Sequence, residues 1–182
     1  MTTWLMVLGI GIAIASFAAL LWSILCPSRR IWPPVQYSAA TPFFVWTPTL
    51  TLFAILITLG AFEWGALDIA DLVRFGVGPA LILIGNVAVW SEVKHFGMRQ
   101  TGGDVGRLRT SGLYRFSRNP QYVADILMII GWVLLSASGA AGMVGLCMTV
   151  LLLTAPFAEE PWLRDRYGQD FEAYAEKVRR FV

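Results

Sequence analysis

From Ile126 to Ala158 the chain carries no charged side chain for thirty-three consecutive residues. As a single helix rising about 1.5 Å per residue, this run would be about 50 Å long, well beyond the roughly 30 Å of hydrocarbon in a bilayer. It has to fold back on itself, and the weak helix formers of S-A-S-G-A-A-G, residues 136 to 142, mark the turn. Two short antiparallel spans result, and Gly139, Gly142 and Gly145 would let their backbones approach closely.

Three more apolar stretches precede this hairpin. The first runs from Trp4 to Cys26, the second from Phe43 to Phe62 with Pro48 tolerated in its first turns, and the third from about Leu72 to Ser91. Pro33, Pro34 and Pro42 argue against continuous helix between the first two. The start, M-T-T-W, has no basic side chain, so a cleaved secretory leader is not expected. With 57% hydrophobic and only 14% charged residues, the chain is too apolar for a soluble fold of 182 residues, and its net charge of +2 says less than the placement of its charges; no nucleic-acid partner is expected. The expected fold is an all-α integral membrane protein. It forms one membrane domain over 1–182, with three spans in 1–91 and, in 92–182, a polar segment, the hairpin of spans four and five, and a tail.

The placement of the bases sets an orientation. Arg29 and Arg30 lie between spans one and two. Lys94, Arg99, Arg107, Arg109, Arg115 and Arg118 lie between spans three and four, and Arg164, Arg166, Lys177, Arg179 and Arg180 follow span five. Arg74 alone falls on the other side. The positive-inside rule then puts the amino terminus outside and both large polar segments, with the carboxyl terminus, in the cytoplasm, which requires an odd number of spans, here five. From Glu159 onward, Leu163, Tyr167, Phe171, Tyr174 and Val178 recur at steps of three and four, the pattern of an amphipathic tail helix lying along the membrane or over the cytoplasmic mouth.

The chemistry expected of soluble enzymes is missing. There is no GxGxxG after a strand, no GxxxxGK(S/T), no GxSxG and no HExxH. Cys26 and Cys147 have no C-x-x-C spacing and read as buried thiols, no metal-ligand set is visible, and the single histidine, His95, reads as an interfacial side chain. The glycine pairs at 9 and 11 and at 76 and 78 lie in spans, where close packing explains them. Two segments stand out, R-L-R-T-S-G-L-Y-R-F-S-R-N-P-Q-Y before span four and E-E-P-W-L-R-D-R-Y-G after span five, because a tight hairpin forces them together. A carboxylate pair at the membrane edge, Glu159 and Glu160, is expensive without partners and marks a candidate site. Asp125, one turn into span four, is equally costly unless it lines a wet cavity or pairs, with Arg118 or Asn86 in reach.

These segments carry a resemblance. Thr110, Ser111, Gly112 and Tyr114, then Arg118, Asn119, Pro120 and Tyr122, then Glu159 and Glu160, then Tyr167, Gly168, Phe171, Tyr174 and Val178 follow one ordered pattern. The pattern resembles that of the integral membrane methyltransferases of the isoprenylcysteine carboxyl methyltransferase and phospholipid methyltransferase group, over the last eighty or so residues. The resemblance implies S-adenosyl-L-methionine held at the cytoplasmic end of the hairpin by Arg107, Leu108, Arg109, Tyr114, Arg118, Asn119, Pro120, Tyr122, Glu159 and Glu160. It also implies a lipid or small amphiphilic acceptor arriving from the bilayer, with Asp125 a candidate contact for it. The catalytic residues are not implied, nor is an oligomeric state.

Two positions depart from the pattern. Asn119 stands where the group usually has histidine, and an amide is no base near neutral pH, which excludes a mechanism that depends on that histidine. Ala155 stands where the prenylcysteine enzymes carry an arginine for the substrate carboxylate, which argues against a prenylcysteine acceptor. The stretch N-P-Q-Y-V-A-D also resembles the sterol reductases, which use a reduced nicotinamide cofactor. A non-enzymatic membrane subunit is the third class.

Overall fold

The computed structural model describes residues 1–96 and 106–182, and the side chains of all of these except 93–96. The readings made for Lys94, His95 and Arg99 therefore lie outside the described side chains. The described residues are helical with no strand: α1 Thr2–Leu25, α2 Thr41–Phe62, α3 Gly78–Phe96, α4 Pro120–Ser136, α5 Gly139–Tyr167 and α6 Gln169–Ala175. A π-helical turn over Leu72–Val77 leads directly into α3. Four of these segments are long and apolar enough to cross a membrane, and α4 is a shorter apolar helix of 17 residues. Large apolar side chains such as Trp4, Leu25, Leu72 and Leu83 face outward along them, as a lipid solvent allows.

The core lies where α1, α2, α4 and α5 meet. Ala13, Leu52, Ile55, Leu56, Leu59, Ile129, Ala141, Val144 and Met148 are buried together there. α3 packs on the far side of α4, and there the helices come closest. A Cβ added at Gly131 would lie 2.7 Å from the Gly78 carbonyl oxygen, and one at Gly85 would lie 2.6 Å from that of Ala124. Only glycine permits such approach of two backbones. The α4–α5 hairpin uses just one of its three expected glycines this way. A Cβ at Gly145 would meet Ile129 at 2.9 Å, at Gly142 the nearest atom is 3.6 Å away, and Gly139 faces open space.

The hairpin turn is tighter than its composition suggests. α4 ends at Ser136, Ala137 takes the left-handed conformation at φ 51°, and Ser138 caps α5 by accepting from the Ala141 amide. The acidic link before α3 clamps this turn. Glu63 accepts from the Ser138 hydroxyl at 2.9 Å and the Ala140 amide at 3.1 Å, and Arg74 donates from Nε to the Leu135 carbonyl at 2.9 Å. Arg74 thus satisfies the carbonyl end of α4, and an acid satisfies the amide end of α5.

The tail departs from the single amphipathic helix expected from Glu159 onward. α5 continues through the acidic pair to Tyr167 as one helix of 29 residues. It ends at Gly168, whose φ of 52° and ψ of −128° suit glycine alone, and the separate seven-residue α6 turns back to bury Phe171 and Tyr174.

Candidate active site

Pro120 occupies the first turn of α4, where its missing N–H leaves no hydrogen bond unmade, and so fixes where the helix begins. Tyr122 follows in that same turn. Across the hairpin, α5 brings Glu159 level with it, and the Tyr122 hydroxyl donates to Glu159 Oε1. The same oxygen accepts from Trp32 Nε1 at 2.6 Å, so the loop between α1 and α2 reaches the site as well. Among the described residues no arginine or lysine pairs with Glu159.

Glu160, the next residue, has the opposite surroundings. Arg180 forks it with Nε and Nη2, each at 2.8 Å, and Arg118 Nη1 lies at 3.2 Å. This bidentate clamp ties the end of the chain to the start of α4. The Arg118 amide donates to the Arg179 carbonyl at 2.9 Å, and Asn119 Nδ2 donates to the Arg180 carbonyl at 2.9 Å. The Asn119 side chain thus holds the tail in place. The Tyr174 hydroxyl donates to the Tyr114 carbonyl and that of Tyr167 to the Gly106 carbonyl, both at 2.7 Å.

A second acid anchors the segment before α4. Glu92, buried on α3, lies 3.2 Å from Arg109 Nε and accepts from the Leu113 amide at 2.9 Å. Gly112 passes over it at φ 69°, and a Cβ there would stand 2.8 Å from Glu92 Oε1. Burial, with Glu159 and Glu92 adding to it, pushes the Tyr114 phenol well above its usual range. Burial pushes Tyr174 up to about 12. Both remain neutral donors at any physiological pH.

These groups enclose a cavity of about 150 Å³. Of the residues singled out in the sequence, Arg107, Leu108, Arg109, Tyr114, Arg118, Asn119, Tyr122, Glu159 and Glu160 line it, whereas Pro120 is buried behind it. Trp32, Pro33, Gln121 and Trp162 line it too, and no sequence pattern pointed to them. Leu163, Tyr167, Phe171 and Tyr174 supply the wall from the tail. Two buried polar atoms of these lining residues, Arg118 Nε and Gln121 Nε2, have no hydrogen-bond partner among the described residues. Asp125 is elsewhere. It pairs with neither expected partner, since Arg118 goes to Glu160 and Asn86 donates to the Ile82 carbonyl and Met128 sulfur. It lines a second, larger cavity of about 510 Å³ between α1, α2, α4 and α5, and Trp32, Gln121 and Tyr122 border both chambers.

Known proteins place this arrangement. The steroid 5-alpha-reductase DET2 of Solanum lycopersicum is 26% identical to the chain over 115 residues, which is 60% of this chain and 43% of that protein. The chain thus spans less than half the length of that relative. No solved structure matches it. The model of the family described as phospholipid methyltransferase matches residues 73–170, from the π-helical turn to the first residues of α6, a stretch that includes Tyr122, Glu159 and most of the smaller cavity's wall. With more than half of its length matched, this multi-pass membrane chain belongs to the phospholipid methyltransferase family.

Proposed function

We propose that the protein is an S-adenosyl-L-methionine-dependent methyltransferase that modifies a lipid-like acceptor at the cytoplasmic face of its membrane. The observation that carries this reading is the state of Glu159. It is a carboxylate on the wall of an aromatic-lined cavity, oriented by Trp32 and Tyr122 yet paired with no cation among the described residues. Such a group suits the ammonium of an amino-acid-like ligand. Leu108, Leu163 and Phe171 suit an adenine face. When bound, that ligand would supply a methyl group on cationic sulfur to an acceptor lone pair, the neutral thioether being the leaving group. The protein's part is to position the two partners and keep water out. Tyr122 and Trp32, which border both chambers, do this by fixing Glu159 on the wall of the smaller one. The tail, held by Glu160 and Arg180, closes the side away from the bilayer.

The similarity to a steroid reductase supports a second reading, reduction by a nicotinamide dinucleotide. Its phosphates would need several uncommitted cations, and Arg109, Arg118 and Arg180 are already engaged with Glu92 and Glu160. Calorimetry on the detergent-solubilised protein separates the readings. S-adenosylhomocysteine is expected to bind in the micromolar range, roughly −8 kcal/mol, and NADPH not at all. Heat from NADPH with none from S-adenosylhomocysteine would establish the reductase, and heat from neither would point to a non-enzymatic subunit.

A further inference from the structure

We propose that the larger cavity is the acceptor chamber and that it selects a hydrophobic amine, an apolar body with one basic nitrogen and neither phosphate nor carboxylate; this rests on the methyl-transfer reading above. The chamber holds about 510 Å³, and its walls are mostly apolar, with Leu20, Trp46, Leu52, Met148 and Leu152 among them. Ile31 and Phe44, 58% and 71% exposed, are part of its lining, so the chamber opens outward past apolar side chains. Its inner end is the border formed by Trp32, Gln121 and Tyr122, against which the smaller cavity abuts. A molecule filling it therefore presents one end to the place where the methyl group would be held.

The charged group of the chamber points to what that end is; beside it stand only neutral polar groups, Ser16, Trp32, Trp46, Gln121 and Tyr122 among them. The hydroxyls of Ser38 and Thr41 bond to each other, and that of Thr49 donates to the Val45 carbonyl. Asp125 is the one carboxyl in the lining, a single turn beyond Tyr122 on the same face of α4, with no hydrogen-bond or ion-pair partner among the described residues. Among the described residues no lysine, arginine or histidine lines the chamber. A carboxylate left alone among apolar walls costs several kcal/mol, and a basic nitrogen relieves that cost by sharing a proton with it. A phosphate or carboxylate head would instead place like charges together with no cation to separate them.

Native mass spectrometry from nonionic micelles, with no cofactor added, tests this with dodecylamine, dodecanol, dodecanoate and phosphatidylethanolamine as probes. Dodecylamine is expected to be retained at least tenfold more than the other three. Asp125→Asn should lose that preference, Asp125→Glu should keep it, and Ala19→Phe, which narrows the chamber, should weaken retention with the carboxyl intact. Dodecanoate, dodecanol or phosphatidylethanolamine retained as well as the amine, or a preference unchanged in Asp125→Asn, would overturn the assignment. S-adenosylhomocysteine binding is read separately on the same samples. Its failure alone counts against methyl transfer, and failure of the amine alone counts against this chamber.

Discussion

Glu159 and Glu160 are neighbours in sequence with opposite tasks. Glu160 is spent on two arginines that fasten the chain's end, whereas Glu159 receives only neutral donors and has no cation partner among the described residues. Glu159→Gln should therefore weaken S-adenosylhomocysteine binding by tenfold or more, the effect of losing one charge-assisted bond worth about 2 kcal/mol, with thermal stability unchanged. Glu160→Ala should do the reverse first. It leaves Arg118 and Arg180 without their acid and should destabilise the fold by roughly 3 kcal/mol, read as a lower midpoint in tryptophan-monitored melting. Tyr122 and Glu159 were legible in the sequence because an ordered motif and a compulsory hairpin bring them together. Trp32 was not, since its bond to Glu159 joins residues 127 positions apart and no local pattern marks it. Glu92 was hidden for a similar reason, as an acid at the end of a span reads equally well as solvated charge.

At the scale of the element, the hairpin followed from span length and its turn from the weak helix formers at 136 to 142, but the closest backbone contact did not. Glycines near the turn suggested close approach between α4 and α5, whereas backbone meets backbone most closely between α3 and α4, at Gly78, Gly85 and Gly131. Spacing within one helix does not say which neighbour it meets. Gly131→Val should cost about 1–3 kcal/mol by overpacking, while Gly139→Ala, which faces open space, should leave the melting midpoint unchanged. The tail's three-and-four periodicity runs across Gly168 without interruption, so the pattern concealed a break that only a positive φ produces. α6 also brings a pH dependence. Tyr174 holds its proton up to about 12 in the folded protein against an ordinary 10.0, so its contribution is complete below pH 10 and is lost as the pH rises through 12. Melting midpoints between pH 10 and 12 should fall less steeply in Tyr174→Phe than in the parent.

The whole molecule is a bundle with one closed end and one chemical end. Glu63 and Arg74 lock the hairpin turn at the first, and two adjoining cavities sharing Trp32, Gln121 and Tyr122 occupy the second. Hydropathy and charge placement revealed the helical bundle and its polar pole. The second cavity was invisible to them, because it arises from how α1 and α2 lean on α4 and α5, a tertiary fact with no periodic signature. Its lining contains Ala155 and Asp125, so the chamber carries an acid where a carboxylate-binding enzyme would need a base. The central claim is that the smaller cavity, between Tyr122 and Glu159, holds S-adenosylmethionine. Ultraviolet cross-linking of methyl-labelled S-adenosylmethionine to the purified protein, followed by peptide mapping, tests it most directly. The label should fall on peptides containing Tyr114, Tyr122 or Trp162 and vanish with excess S-adenosylhomocysteine; label confined to other peptides, or undiminished by the competitor, would contradict it.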